Sequence, residues 1–531
     1  MAQISKVFLL NVPLENDYKN TLYFANASAQ QTYFRSKVVR SFEDFSYQRK
    51  DERIRIPVQF DALLNCNYVM YQNPAYSNKW FYAFITDIKY VNDGNTDIFI
   101  ETDVMQTWAF DYVVKSSFIE REHVSNDAVG AHTIQEDLGT GEYVVAPDSV
   151  TEFDYGEAFS VCFQVSELIG GIPAWTTTRG RYYNGIFTGL WFFACSIANA
   201  EHVIKGYNQS GKDDAILSAF MVPTLMLATF SMDDCTLDGQ TFKVYTPPIT
   251  AGSYPLASKT ISRPSTIDGY APRNNKLFTY PYCFLYADNN VGQTTVYRWE
   301  DFGNPAQAHF TEEGAIGQGC AIKLIPQNYK RLGTSGETRD TGAYAFALTA
   351  GKLPICAWAT DYYTAYVIQN GLNMAMDIGS GLIGTAASVA TGGAGAAIGG
   401  IMGLGAITRS LGDLYQASIA PDQARGNANN SDINFAVKRA GITVFNQNIR
   451  AERAAIIDGY FDMFGYQVNA VKVPNKAHRQ RWWYTKTIDV NIDGPIPMKD
   501  MQKIKNSFNN GITFWRNPSE IQDYSLPNGI V

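Results

Sequence analysis

The chain has 531 residues, too many for one ordinary hydrophobic core, so two or more domains, or an elongated body with insertions, is expected. Its composition, 46% hydrophobic, 14% aromatic and 18% charged with 32 Tyr and 31 Phe, favours pleated sheets over helical bundles and gives a mainly β class with some α. A net charge of −8 supplies no basic field for phosphate backbones, which argues against general nucleic-acid binding and leaves only a locally basic lumen open.

Met1 to Val12 carries one Lys and only the short apolar run Val7 to Leu10, too little for a secretory signal, so synthesis and assembly in a cytoplasm is expected. From Ile54, the residues Ile54, Ile56, Val58 and Phe60 alternate with Arg55, Pro57 and Gln59, the period of a half-buried strand, and Pro57 suggests an edge position. Trp80 to Val91 and Thr96 to Val104 are β-rich runs joined by Asn92, Asp93, Gly94 and Asn95, which predicts a hairpin. From about Glu122 to Ile355, short runs (Phe159 to Val165, Leu225 to Phe230, Thr241 to Tyr245, Leu277 to Tyr286) separated by Gly, Pro, Asn and Asp predict a second β-rich body. Ser431 is placed to cap a helix through Phe435, Val437, Ile449 and Ala455. Met498, Met501, Ile504 and Phe508 fall at helical spacing before Asn510-Gly511, and Ile512 to Trp515 reads as a strand.

Between Asp377 and Arg409 the character changes, because Ile378 to Thr408 holds no charged residue and is mostly Gly and Ala. As a helix it would reach about 45 Å at ~1.5 Å per residue, more than a bilayer's hydrocarbon core needs. Gly and Ala contribute little transfer energy, and each glycine costs a helix up to ~1 kcal/mol, so a permanent lone transmembrane helix is disfavoured. Gly395, Gly399 and Gly403 form a double GxxxG, and Gly384, Ser388 and Gly392 repeat the small-residue step, which favours insertion by several copies packed together. Ile378, Leu382, Ile383, Val389, Ile398, Ile401, Met402, Leu404 and Ile407 would then face lipid. A flexible linker and a buried packing element inside an oligomer stay open beside this reading.

The chemistry-bearing motifs are weak. Gly206 to Asp213 has P-loop spacing, but Asp213 stands where the magnesium-ligating hydroxyl belongs and Ile197 to Lys205 looks helical, so a polar surface loop is expected. Asp489, Asn491, Asp493, Gly494 and Asp500 fall at EF-hand positions, yet Val490 and Ile492 alternate as in a strand and Pro495 follows. His123, His132, His202, His309 and His478 are dispersed without HExxH or GxSxG partners. Cys66, Cys162, Cys195, Cys235, Cys283, Cys320 and Cys356 are single and odd in number, and read as reduced, mostly buried small hydrophobes. Arg479, Arg481, Trp482, Trp483 and Lys486 form a basic aromatic cluster, either an interface or solvated strand face or a surface for stacking nucleic acid. No catalytic, cofactor or metal site is assigned.

Asp103-Val-Met-Gln-Thr-Trp108, Ile119-Glu-Arg-Glu-His123, Tyr460-Phe-Asp-Met-Phe-Gly-Tyr466 and Gly511-Ile-Thr-Phe-Trp515 give the chain a resemblance, over nearly its whole length, to the tail knob (distal tail tube) proteins of phi 29-like podophages. The resemblance implies a non-enzymatic structural protein of the virion's distal tail. It implies a homo-oligomer, a hexamer, forming a DNA-conducting tube whose hydrophobic loops plug the tip and enter the host cell membrane on infection. The implied fold is a β-rich tail-tube domain with a β-rich distal knob and a long hydrophobic loop insertion. Residues 1–125 and 431–531 would build the tube, 126–360 the knob and 361–430 the membrane-active loop. Implied partners are the lower collar and tip proteins, the host membrane, and phage DNA passing without specific binding. The rival readings are a receptor-binding or cell-wall-degrading tail protein and a toxin-like pore former acting alone.

Overall fold

The computed structural model describes residues 5–45, 52–72, 77, 79–146, 149–154, 158–173, 182–183, 186–187, 191–246, 254–290, 292–314, 321–330, 343–352, 355–359, 425–427 and 441–531. The chain divides into two units: residues 1–139, 270–277 and 451–531 form the first, and 140–269 with 278–450 the second. Both are mostly antiparallel β.

In the first unit a six-stranded sheet runs in the order Val38–Phe45, Ser5–Leu10, Tyr68–Gln72, Trp80–Asn92, Asn95–Thr102, Arg53–Ile56. Its central strands are apolar on both faces because both faces are covered. Val7, Leu9, Val69, Tyr71, Phe81 and Ala83 enter one core with Ile504 and Phe508. Phe8, Leu10, Tyr68, Met70, Tyr82 and Phe84 enter another with Phe34, Trp482 and Trp515. The continuous run Val7 to Leu10 is therefore a two-sided strand. The predicted hairpin is present, with Asn92 Oδ1 accepting from Gly94 N at 3.0 Å and Asn95 Nδ2 at 3.1 Å across the turn. Arg53–Ile56 is an edge strand as expected, but it stops before Pro57, and Phe60–Leu63 is a 3-10 turn. Proline has no N–H to extend a ladder, so Val58 and Phe60 do not continue the alternation.

A five-stranded sheet in the same unit orders Asn20–Leu22, Ile512–Trp515, Trp482–Ile488, Ser117–Glu122, Tyr466–Lys472. The C-terminal helix is Met498–Asn510, and Gly511 follows it at φ +92°, where a Cβ would meet the Tyr484 hydroxyl at 1.9 Å. Only glycine fits there. The helix buries Asp500, Ile504, Ser507 and Phe508, while Met498 is 87% exposed, so the buried line is offset from the methionines.

In the second unit a seven-stranded sheet orders Ser231–Leu237, Gln240–Thr246, Trp191–Ser196, Phe159–Val165, Ile216–Pro223, Ile355–Ala359, Arg425–Asn427. The helix Ala200–Gln209 lays Val203 and Tyr207 against Phe163, Phe193 and Phe242. A five-stranded sheet is centred on Gly441–Ile449, and a four-stranded sheet orders Tyr254–Ser262, Gln307–Gly314, Ala321–Gln327, Leu348–Lys352. Two expected strands are corrected. Leu225 to Phe230 contains the 3-10 turn Thr224–Leu227, and the strand sought from Leu277 begins only at Cys283. The expected helix across Ile449 is also corrected: Gly441–Ile449 is a strand and the helix is Ala451–Phe464, while Ser431, Phe435 and Val437 lie outside the described residues. Ile442, Val444, Asn446 and Asn448 fall on the buried face and Thr443, Phe445 and Gln447 on the other, which is the period of a central strand and not a helical stripe.

Candidate functional site: the root of the uncharged segment and the pinned strap

Ile378, Leu382, Ile383, Val389, Gly395, Ile398, Gly399, Ile401, Met402, Gly403, Leu404 and Ile407 all lie outside the described residues. The root of the stretch that carries them is described. Ile355–Ala359 pairs antiparallel with Arg425–Asn427, with Ala357 opposite Asn427 and Ala359 opposite Arg425. Antiparallel partners sit roughly 5 Å apart, so residues 360–424 leave and re-enter at one point, at the edge of the seven-stranded sheet. An excursion closed at its neck is cheap to lengthen, since each doubling of a loop costs only about 0.6 kcal/mol. Among the described residues no helix is long and apolar enough to cross a membrane.

The first unit holds a second feature, an eight-residue strap at 270–277 lying in sequence between two stretches of the second unit. Helix Ala451–Phe464 presents Ala454, Ile457, Asp458, Phe461 and Asp462 on its buried face, so two carboxylates lie on an otherwise apolar stripe. Asp458 is fully buried and accepts from Tyr270 Oη (2.8 Å), Arg273 N (2.8 Å), Asn274 N (3.1 Å) and Asn274 Nδ2 (2.9 Å). Asp462, whose pKa is raised by burial, takes Asn274 Nδ2 at 2.8 Å and the Arg273 guanidinium at 2.5 Å. Further along, Asn275 N donates to Asp127 Oδ2 at 3.0 Å, and Lys276 Nζ reaches Glu136 Oε1 at 2.5 Å between the rings of Phe461 and Tyr466. Glu136 also receives the Arg121 guanidinium and Gln467 N. Burial pulls the Lys276 ammonium down and Glu136 opposes it. Buried charges persist only when paired in this way, and every carboxylate of the set has a cation or amide donors. The available sequence signal was the i, i+4 spacing of Asp458 and Asp462 in line with Ile457 and Phe461.

The motifs weighed in the sequence fall elsewhere. His123 is buried; its Nδ1 accepts from Tyr484 N at 2.7 Å, which places the proton on Nε2, facing Asp462 O at 2.9 Å. His132 bonds Asn126 O, His202 bonds Asp238 and His309 bonds Thr260, while the His478 carbonyl accepts from Val531 N. The basic aromatic cluster is corrected, because Trp482 and Trp483 are core residues, 0% and 4% exposed, with the Trp482 indole donating to Asp462 O. Neither presents a stacking platform nor a solvated face. Arg479 is buried against Asn528 O, and Arg481 and Lys486 pair with Glu520 and Glu120. Gly206 lies inside the helix Ala200–Gln209 and Lys212 pairs with Glu167, which is not a phosphate loop. Asp493 pairs with Lys115 at 2.7 Å and Asp500 accepts from the Trp108 indole at 2.9 Å, so the EF-hand positions have separate employments. Among the described residues no set of His, Cys, Asp and Glu is arranged to hold a metal ion. Cys66, Cys162, Cys195, Cys235 and Cys283 are buried free thiols; burial pushes Cys235 up to about 11 and Cys195 up to about 12. The side chains of Cys320 and Cys356 lie outside the described set.

Two mainly antiparallel sheet units, the first closed by buried tryptophans, tight glycines and paired buried charges, define a β-rich protein with some helix. A profile described as Bacillus phage phi29, Tail knob protein gp9, C-terminal domain, matches residues 250–529, and one described as Caudoviral major tail protein N-terminus matches residues 3–113. The chain belongs to the phi29 gp9 tail knob family. It is 27% identical to tail knob protein gp9 of Bacillus phage B103, over 98% of this chain and 97% of that one. Against gp9 of Bacillus phage phi29 it is 26% identical at the same coverage, 98% and 97%. The solved tail knob protein gp12 of bacteriophage C1 superposes with a TM-score of 0.66 at 15% identity, covering 99% of this chain and 100% of that one, and so shares the fold. The chain is thus a structural component of a phage tail, located in the virion.

Proposed function

We propose that the chain assembles as a homohexameric distal tail tube through which phage DNA is ejected. The Ile378 to Thr408 loops of its copies plug the tip and then enter the host cell membrane. The supporting observation is the neck: a stretch without a charged residue is carried on an excursion whose two ends meet on paired strands at a sheet edge. Weak hydrophobicity per copy is offset when several copies insert together and their glycines allow close contact. The lower collar and tip proteins, and assembly in the host cytoplasm, complete the proposal.

The test is dye release from liposomes by the purified oligomer across pH, beside a deletion of residues 378–408. Leakage by the intact protein alone is the expected result. Leakage by both, or by neither, removes membrane entry from the proposal and leaves a tube with a plug or linker.

A further inference from the structure

In the first unit, Leu22, Phe24, Met105, Phe110, Tyr112 and Phe514 wall a cavity of about 240 Å³. Leu22 and Met105 are buried, whereas Phe110 is 46% exposed, so one wall reaches the surface. Lys476 is the single charged residue of the lining. Among the described residues it forms no ion pair, and partial burial pulls its ammonium below the ordinary lysine pKa with no carboxylate opposing the shift. A lone cation beside an aromatic cavity is completed by an apolar group that carries an anion.

The same unit presents a group of that kind. Trp80–Asn92 pairs with Tyr68–Gln72 only as far as Phe84, so Ile85 to Asn92 continues toward the turn with a described partner strand on one side alone. On this arm Tyr90 is 60% exposed, and its hydroxyl donates to Asp93 Oδ1 at 2.6 Å. Asp93 is exposed and, among the described residues, forms no ion pair. The other exposed aromatic side chains among the described residues are poorer matches. Phe110 belongs to the cavity itself, Phe118 lies within a sheet between Val471 and Ile488, and Tyr143 of the second unit bonds Thr140. Tyr90 alone among them is bonded to a carboxylate.

We propose that this arm of one copy docks in the cavity of a second copy, the Tyr90 ring entering among Phe24, Phe110 and Phe514 and the Asp93 carboxylate meeting Lys476. The contact presupposes the homo-oligomer of the proposed function and supplies one surface that builds it. Two different surfaces meet, so the interface is heterologous, and repeated about an axis it closes a ring. An exposed ring leaves water, and the partly buried ammonium gains the counter-charge it lacks in the single chain.

The experiment is sedimentation velocity of the full chain over a concentration series, beside K476E, D93K, Y90A and the double variant D93K/K476E. Each single substitution should raise the concentration needed for assembly about tenfold or more, and the double variant should return it to within about threefold of the unaltered chain. Thermal midpoints of the dissociated chains should stay level, because neither Lys476 nor Asp93 is in an ion pair and Asn92 closes the turn. Assembly unchanged by K476E, or no rescue by the double variant, overturns the contact and leaves the cavity to another occupant. An unaltered chain that stays monomeric at every concentration overturns the homo-oligomer itself, and the contact with it.

Discussion

His123 shows how a single buried side chain contributes to the acid sensitivity of the first unit. Burial, with the nearby Arg479 charge adding to it, pushes its pKa down to about 3 against an opposing hydrogen bond to Asp462 O. In an unfolded chain a histidine titrates near ~6.5. Between those values the unfolded chain takes up a proton that the folded chain refuses. The contribution of His123 is therefore complete above pH ~6.5 and declines as pH falls toward 3, by at most about 1.4 kcal/mol per pH unit. Asp103 acts in the opposite sense: burial raises its pKa to about 6, so its unfavourable charge is relieved by protonation as pH falls through that value. Comparing H123Q with the unaltered chain cancels Asp103 and isolates the histidine. Urea unfolding at pH 7.5, 6 and 5 should show the H123Q penalty shrinking by roughly 1 kcal/mol or more as pH falls. Parallel stability curves would show that His123 does not carry the acid sensitivity.

At the scale of elements, what the sequence made legible was whatever short-range chemistry decides. Asn92 to Asn95 close a hairpin by local hydrogen bonds, and Gly511 ends a helix at a backbone angle other residues avoid. The segments misread were those settled by distant partners. Ile449 ends a strand because Tyr143–Val145 pairs with that end on one side and Cys283–Asp288 pairs along the other, which no local period reveals. Trp482 and Trp483 are basic-flanked in sequence but core in structure, because Trp515, Tyr524 and Phe514 cover them. The motifs that carried the resemblance are largely positions that lock the first unit. Asp103 caps the turn before Trp108, Glu122 holds Lys472 and Asn475, and at Gly465 a Cβ would come within 2.2 Å of Glu122 O. The strap was not legible, since Asp458 and Asp462 gain meaning only when residues 270–277 arrive opposite them. Replacing Asp458 by Asn turns an amide N–H₂ toward strap donors and removes the charge facing Arg273. The expected cost is about 3 kcal/mol in urea unfolding, with faster proteolytic cutting at 270–277. A change under about 0.5 kcal/mol, with the strap still protected, would mean that Asp462 and Glu136 hold it unaided.

For the whole molecule the decisive quantity is charge. If the proposed function holds, the tube must conduct DNA without holding it, and each phosphate neutralised by a Lys or Arg adds a salt-sensitive contact that resists movement. The chain carries 51 acidic against 43 basic residues, a net charge of −8 that the proposed oligomer would repeat in every copy. Many of its cations are also already engaged: Lys503 with Glu101, Lys486 with Glu120, Lys115 with Asp493 and Arg55 with Asp97. Such pairs give little stability at an exposed surface, but they remove charges that would grip a phosphate backbone. The expectation is that purified oligomer retains duplex DNA no better than the weak non-specific range, Kd about 100 µM or looser at 0.15 M salt. Fluorescence anisotropy of a labelled duplex measures this directly. A micromolar or tighter Kd that falls steeply with added salt would place unpaired Lys or Arg side chains along the DNA path and contradict a passive conduit.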